Sequence, residues 1–283
     1  MDGAPTGRGH PDEGFELRGT ATPPLALLRD VAGSWNLLRT LSRKDFYVRY
    51  RRTSFGVLWA IGLPLVQAVV LGVVFTRIVR IDTGESYAVF VFAGVLPWTF
   101  LATSVTSGST AIVDGAALAT KIYFPRALLP LVNIGANIYG FVPGVAVLLL
   151  AAATIGDGIG ADVWLVLPAL ALMVLFVAAL SLVLAGLHVY FRDLRFIVQA
   201  GMLAWMYSTP VIYPLDLASG WLRTALLLNP ATGMVEMFHA AVADGRSPDV
   251  AVAALSTSCW TAALLAAALV LHSRHDRVFV DLL

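Results

Sequence analysis

The chain has 283 residues, of which 58% are apolar and only 13% charged, with mean hydropathy +0.80 and net charge +1. A soluble domain carries about 25% charged residues, so these values exclude an ordinary soluble globule and make the bilayer the expected solvent. The near-zero charge gives no basis for nucleic-acid binding, and a single cysteine, Cys259, excludes an intrachain disulfide or a cysteine metal cluster.

Residues 1–24 are polar and rich in Gly and Pro, and lack the apolar core of a signal peptide. The tail over 1–30 is expected to be disordered and cytoplasmic. Residues 31–54 read as an amphipathic interfacial helix. Ser34 is placed to cap a helix from about Trp35 to Arg52, in which Leu37, Leu38, Leu41 and Val48 share one arc. Arg39, Arg43, Tyr47 and Arg51 form a stripe four residues apart, and Arg49 interrupts the apolar side. Arg43, Lys44, Arg49, Arg51 and Arg52 make a cationic collar, and no further ionisable residue follows until Arg77. The collar reads either as an interfacial helix that meets anionic lipid or a partner, or as a plain topology anchor.

A crossing of the hydrocarbon core takes roughly 20 apolar residues. Six stretches are expected to cross: Phe55–Thr76, Tyr87–Thr110, Ala127–Thr154, Val163–Leu187, Phe196–Tyr213 and Val250–His272. They make residues 55–272 one all-α transmembrane domain, with a short cytoplasmic tail over 273–283. An N-terminus inside places fifteen of the nineteen basic residues on the cytoplasmic face. The positive-inside rule therefore predicts that both termini are cytoplasmic. Between the fifth and sixth crossings, WLRTALLL and MVEMFHAAV are separated by the turn signal Asn229-Pro230 and are each too short to cross. They read as two short re-entrant helices or as a surface hairpin.

The loop VDGAALATKIYFPRALLP joins the second and third crossings, either as a compact helix that meets a cytoplasmic partner or as a simple connection. The motif HVYFRDLRFIVQ crowds Arg192, Asp193 and Arg195 just below the fifth crossing. Asn133 and Asn137 share a face of the third, where they serve helix packing or sugar recognition. Arg77 and Arg80 serve interfacial anchoring or attract phosphate. Glu236 and His239 lie three residues apart with no second such pair to complete a metal site, and His272 and His275 end the last crossing with no third ligand in view. No metal is expected.

Three segments together resemble the membrane subunits of type-2 ABC exporters of O-antigen-like polysaccharide or teichoic-acid chains. They are RKDFYVRYRRTSFGVLWAIGLPL, KIYFPRALLP, and VYFRDLRFIVQAGMLAWMYSTPVIYP with the following LLNPATGMVEMFHAAV. The resemblance implies a permease in the cytoplasmic membrane of a bacterium that forms a homodimer and exports a lipid-linked glycan. It further implies two separate cytoplasmic ATPase subunits, which bind ATP and Mg, while this chain binds no cofactor. No G-x-x-x-x-G-K-[ST] phosphate loop occurs in the sequence, so this chain is not expected to be an enzyme. By the same resemblance the loop with Asp114, Lys121, Tyr123 and Arg126 would seat on the ATPase.

A glycan path favours aromatic rings, which offer flat apolar area with a polar rim in Trp and Tyr. Trp98, Phe100, Tyr139, Trp205 and Tyr207 fall near mid-membrane and Tyr213 near a span end, and each either lines the path or packs between helices. A drug or lipid permease and a non-transporting scaffold of glycan synthesis are the alternative functions.

Overall fold

In the computed structural model the described residues are 24–74, 87–116, 125–156, 158–159, 161–242 and 249–275, and every regular element among them is helical. The short α1 (Pro24–Gly33) runs through Ser34 into α2 (Trp35–Tyr50). Ser34 occupies the N-cap position, but its hydroxyl donates to the Asp30 carbonyl at 2.8 Å instead of capping α2. With α1 directly before it, Ser34 closes the first helix rather than opening the second.

A turn at Gly56–Leu58, where Gly56 takes a positive φ of 54°, leads into α3 (Trp59–Val74). The long helices α4 (Tyr87–Asp114), α5 (Leu128–Thr154) and α6 (Val166–Tyr190) follow, the last entered through a 3-10 turn at Ala161–Leu165. Then come α7 (Leu194–Tyr207), the short α8 (Gly220–Leu228) and α9 (Thr232–Val242), and finally α10 (Val250–His275).

Among the described residues, five stretches are long and apolar enough to cross a bilayer: Gly56–Val74, Tyr87–Asp114, Leu128–Thr154, Ala161–Tyr190 and Val250–Ser273. They match five of the six expected crossings to within a few residues at most ends. The expected crossing at Phe196–Tyr213 is instead the 14-residue α7 followed by irregular backbone. Fourteen residues rise about 21 Å, short of the roughly 30 Å hydrocarbon core. The helix stops three residues before Pro210, which lacks an N–H and disfavours helical geometry at Thr209.

The helix α4 is the central column, packed by α3, α5, α6, α7 and α9. It is buried over most of its length, whereas α3 and α10 keep broad apolar faces exposed, as lipid-facing helices do. Water drives no apolar association between helices in lipid, so close approach of small residues carries the packing. A Cβ on Gly108 would stand 2.7 Å from the Ser181 hydroxyl of α6. A Cβ on Gly94 would collide with the Val211 carbonyl and lie 2.9 Å from His239 Nε2 of α9.

Gly94→Val should therefore push α9 and the segment around Val211 away from α4. An overpacking cost of about 1–3 kcal/mol is expected. A lower melting temperature of the detergent-purified protein, with the exposed Leu255→Val on α10 as control, checks it.

Candidate functional site

At the end of the bundle where α4 and α6 finish, a cleft of about 680 Å³ opens between α4 and the turn joining α6 to α7. One wall is a face of α4 on which Thr103, Thr106, Ser107, Thr110 and Asp114 recur every three or four residues. The Ser107 hydroxyl donates to the Thr103 carbonyl (2.9 Å) and Thr110 to that of Ser107 (3.4 Å). Their oxygen lone pairs thus remain free to accept.

The other wall carries His188 from α6, Arg192 from the turn, and Arg195 and Gln199 from α7. Both guanidinium groups are exposed, and that of Arg195 lies 5.1 Å from the Phe196 ring. His188 is buried, and its Nδ1 has no hydrogen-bond partner among the described residues. The sequence showed the arginines and a Ser/Thr-rich span end, but not that they face each other. The spacing of the hydroxyls was the available signal.

Arg49, which breaks the apolar face of α2, is the side chain that fastens α2 to the bundle. Its guanidinium donates to Asn137 Oδ1 at 2.6 Å and to Asp45 at 3.1 Å. Asn137 in turn donates to Ser104 on α4 at 2.9 Å, so α2, α5 and α4 share one polar chain. Beside it lies a smaller cavity of about 210 Å³, walled mainly by apolar side chains of α3, α4 and α5. The Arg43 guanidinium stands 5.7 Å from the Tyr47 ring, and Arg43 and Lys44 line an open groove on the other face of α2. Arg51 and Arg52 are exposed beyond the helix end.

The expected pathway aromatics do not form one surface. Trp98 is buried and meets Trp205 edge-on at 5.9 Å. Phe100 is buried and stacks on Phe141 at 4.5 Å. Tyr139 lies against Phe46 of α2, 5.6 Å between ring centres. Tyr207 is 63% exposed, and the Tyr213 hydroxyl donates to the Tyr207 carbonyl at 3.4 Å. Of the residues expected to seat on an ATPase, Asp114 ends α4 and Arg126 is buried just before α5. Lys121 and Tyr123 lie outside the described residues, as do Arg77, Arg80 and the terminal tails over 1–23 and 276–283.

The two short helices differ sharply in environment. α9 is buried along its whole length, while α8 is mostly exposed, with Trp221 80% accessible. Arg223 on α8 binds Asp249 at the start of α10 and Asp216 at 3.3 Å. Its hydrogen bond to Asp249 holds the guanidinium above its already high ordinary pKa. On α9 the buried His239 lies 3.5 Å from Glu236 and stacks on Phe90 of α4 at 3.9 Å.

Asn229, from the expected turn signal, clamps the break after α7. Its Oδ1 accepts from Trp205 Nε1 (2.8 Å) and the Ala231 N–H (3.0 Å). Its Nδ2 donates to the Ser208 carbonyl (2.8 Å) and to Thr209 Oγ1 (3.0 Å). Asn229→Ala should strand several of these groups, at about 1–3 kcal/mol for each that stays buried and unpaired. Combining it with Trp205→Phe should cost less than the sum of the single changes, because both remove one shared bond. Thermal unfolding of the four proteins in one detergent checks this.

Comparison with known proteins covers most of the chain. The ABC-2 type transporter family matches residues 36–242. The O-antigen export system permease protein RfbA of Myxococcus xanthus is 31% identical over 238 residues, spanning 82% of this chain and 91% of that protein. Two proteins of the same description from Klebsiella pneumoniae are each 28% identical, over 71% of this chain and 78% of theirs. With the match running from α2 to the end of α9, the chain belongs to the ABC-2 type transporter family.

Proposed function

We propose that this chain is the membrane permease of an ATP-driven exporter that moves a lipid-linked, O-antigen-like polysaccharide across the cytoplasmic membrane. The observation that carries this reading is the similarity, over most of the chain, to permeases described as parts of O-antigen export systems. The cleft is compatible with it, because the Thr and Ser hydroxyls along α4 can hydrogen-bond a polar chain.

In this reading two copies pair around the translocation path, and two separate ATPase subunits bind ATP and Mg and supply the energy. The region from Asp114 to Arg126 seats on the ATPase, and α2 lies at the inner interface, where the collar faces anionic lipid and the partner. Both termini are cytoplasmic, as the placement of Lys and Arg favours. Helix α7 with the irregular backbone after it forms a sixth crossing, and α8 and α9 dip back from the outer face. The complete burial of α9 and the internal pairing by Asn229 support that arrangement, since backbone at membrane depth must be satisfied within the protein.

Reconstitution in proteoliposomes with the ATPase subunit encoded beside it tests the proposal. ATP addition should raise delivery of lipid-linked glycan across the bilayer at least about tenfold over a hydrolysis-dead ATPase, a coupling near 1.4 kcal/mol or more. Equal delivery without ATP, or ATPase stimulation by apolar drugs and not by glycolipid, would refute it.

A further inference from the structure

We propose that the cavity enclosed by α2, α3, α4 and α5 is a binding site for an anionic phospholipid of the membrane. One acyl chain lies inside the cavity, and the phosphate is held by Arg51 and Arg52. Such a site needs only that the chain spans a bilayer, and does not depend on the export reading.

The cavity holds about 210 Å³ of free space. Packed protein interiors contain few voids larger than a water molecule, and an unfilled apolar void forfeits dispersion contacts along its walls. Aromatic rings reach this one from all four helices: Phe46 and Tyr50 from α2, Trp59 from α3, Phe100 from α4 and Phe141 from α5. Inward movement of α3 has little room to close the space. Its Ala60 already meets α5, where a Cβ on Gly140 would stand 2.8 Å from that of Ala60.

The polar groups of the wall decide what fits inside. Arg49 donates to Asn137 and Asp45, and Asn137 donates in turn to Ser104. The Thr99 hydroxyl donates to the Val95 carbonyl. These groups are satisfied within the protein, and Thr103 belongs also to the wall of the larger cleft. An apolar chain therefore suits the interior better than water or a sugar. Leu63 marks the opening, because it lines the cavity and is 61% exposed on the apolar face of α3.

The headgroup end has its own chemistry. The chain leaves the cavity wall at Tyr50 and rejoins it at Trp59. Between them the backbone is folded into turns, with the Thr53 N–H donating to the Tyr50 carbonyl (3.3 Å) and the Gly56 N–H to that of Thr53 (3.2 Å). Arg51 and Arg52 open this segment, are exposed, and make no ion pair among the described residues. Arg49, by contrast, is matched by Asp45. Two uncompensated guanidinium groups thus follow directly on a residue of the wall. Arginine binds phosphate through paired, charge-assisted hydrogen bonds, and basic residues at a membrane surface favour anionic headgroups. The Tyr50 hydroxyl and the Trp59 indole N–H have no hydrogen-bond partner among the described residues. Rings with an apolar body and a polar tip suit the boundary between acyl chains and headgroups, where they donate to ester or phosphate oxygens.

The test uses the full-length permease purified with its ATPase subunit in mild detergent. Native mass spectrometry reads lipid retention, and thermal unfolding is followed in parallel. The probes are dioleoylphosphatidylglycerol, dioleoylphosphatidylcholine, glycerol phosphate and farnesyl phosphate. Phosphatidylglycerol should bind at least about tenfold tighter than phosphatidylcholine, the scale of two cations near an anionic headgroup. R51Q/R52Q should remove that preference while leaving phosphatidylcholine binding unchanged, and R51K/R52K should keep most of it. L63W, which plugs the mouth at an exposed position, should weaken both phospholipids at least about tenfold, the scale of two methylenes left unburied. It should do so without lowering the melting temperature. Competition by glycerol phosphate as strong as that by phosphatidylglycerol reduces the site to a surface charge patch and overturns the proposal. So does wild-type retention of both lipids in L63W, or loss of the preference in R39Q/R43Q/K44Q but not in R51Q/R52Q. Tighter binding of farnesyl phosphate than of phosphatidylglycerol overturns it as well, by giving the cavity to a polyprenyl carrier. A changed oligomeric mass in L63W with lipid retention intact gives the cavity to a second copy of the chain, and equally sinks the lipid site.

Discussion

A polypeptide in hydrocarbon has no water to satisfy its backbone, and the arrangement of this molecule turns on that constraint. Long helices meet it by themselves. The break after α7 does not, and there Asn229 uses both its acceptor and its donors to close the account for Trp205, Ser208, Thr209 and Ala231. With the break satisfied, the chain can turn back twice within a short distance. α9 is then free to pack on all sides, filling the space between α4, α6 and α10.

The second organising fact is that α4 presents different chemistry on different faces. Gly94 and Gly108 allow α9 and α6 to approach closely, and Ser104 accepts the hydrogen bond from Asn137. The neighbouring face holds Thr103, Thr106, Ser107 and Thr110 toward the cleft. Ser104 and Thr103 are adjacent residues, so the polar chain that begins at Arg49 on α2 ends one residue from the cleft wall. The chain ties α2 and α5 to α4 through directional hydrogen bonds rather than through apolar contacts alone.

Much of this fold was legible in the sequence, because hydropathy and length alone locate a membrane helix. The five full-length apolar helices are of that kind. The fifth expected crossing reads as short, with Pro210 and Pro214 as its stops; its helix ends at Tyr207, three residues before Pro210, and the Asn229 that clamps the break comes from about twenty residues later and is not seen in local sequence. Arg49 looked like a flaw in an amphipathic pattern because its partner, Asn137, is 88 residues away. Trp205 reads as a mid-membrane aromatic that lines a path or packs between helices, and its indole N–H donates to Asn229, a partner 24 residues away that local spacing does not reveal. The cleft escaped notice for the same reason: its walls come from α4 and from a turn almost eighty residues later. Local spacing displays each wall, and only tertiary structure brings them face to face.

Those two sites meet on α7. Arg195 and Gln199 project from its first turns into the cleft, and Trp205 in its last turn is bound to Asn229 at the break. Ten residues separate Arg195 from Trp205, about 15 Å along one uninterrupted helix. A hydrogen-bonded helix of that length moves as a body rather than bending in the middle, since kinks need a Pro, a bulge or an inserted group. None of its 14 residues is Pro. Its Trp205 end packs against Trp98 and Phe176 and is bound to Asn229, so the helix that walls the cleft is also the helix held at the break.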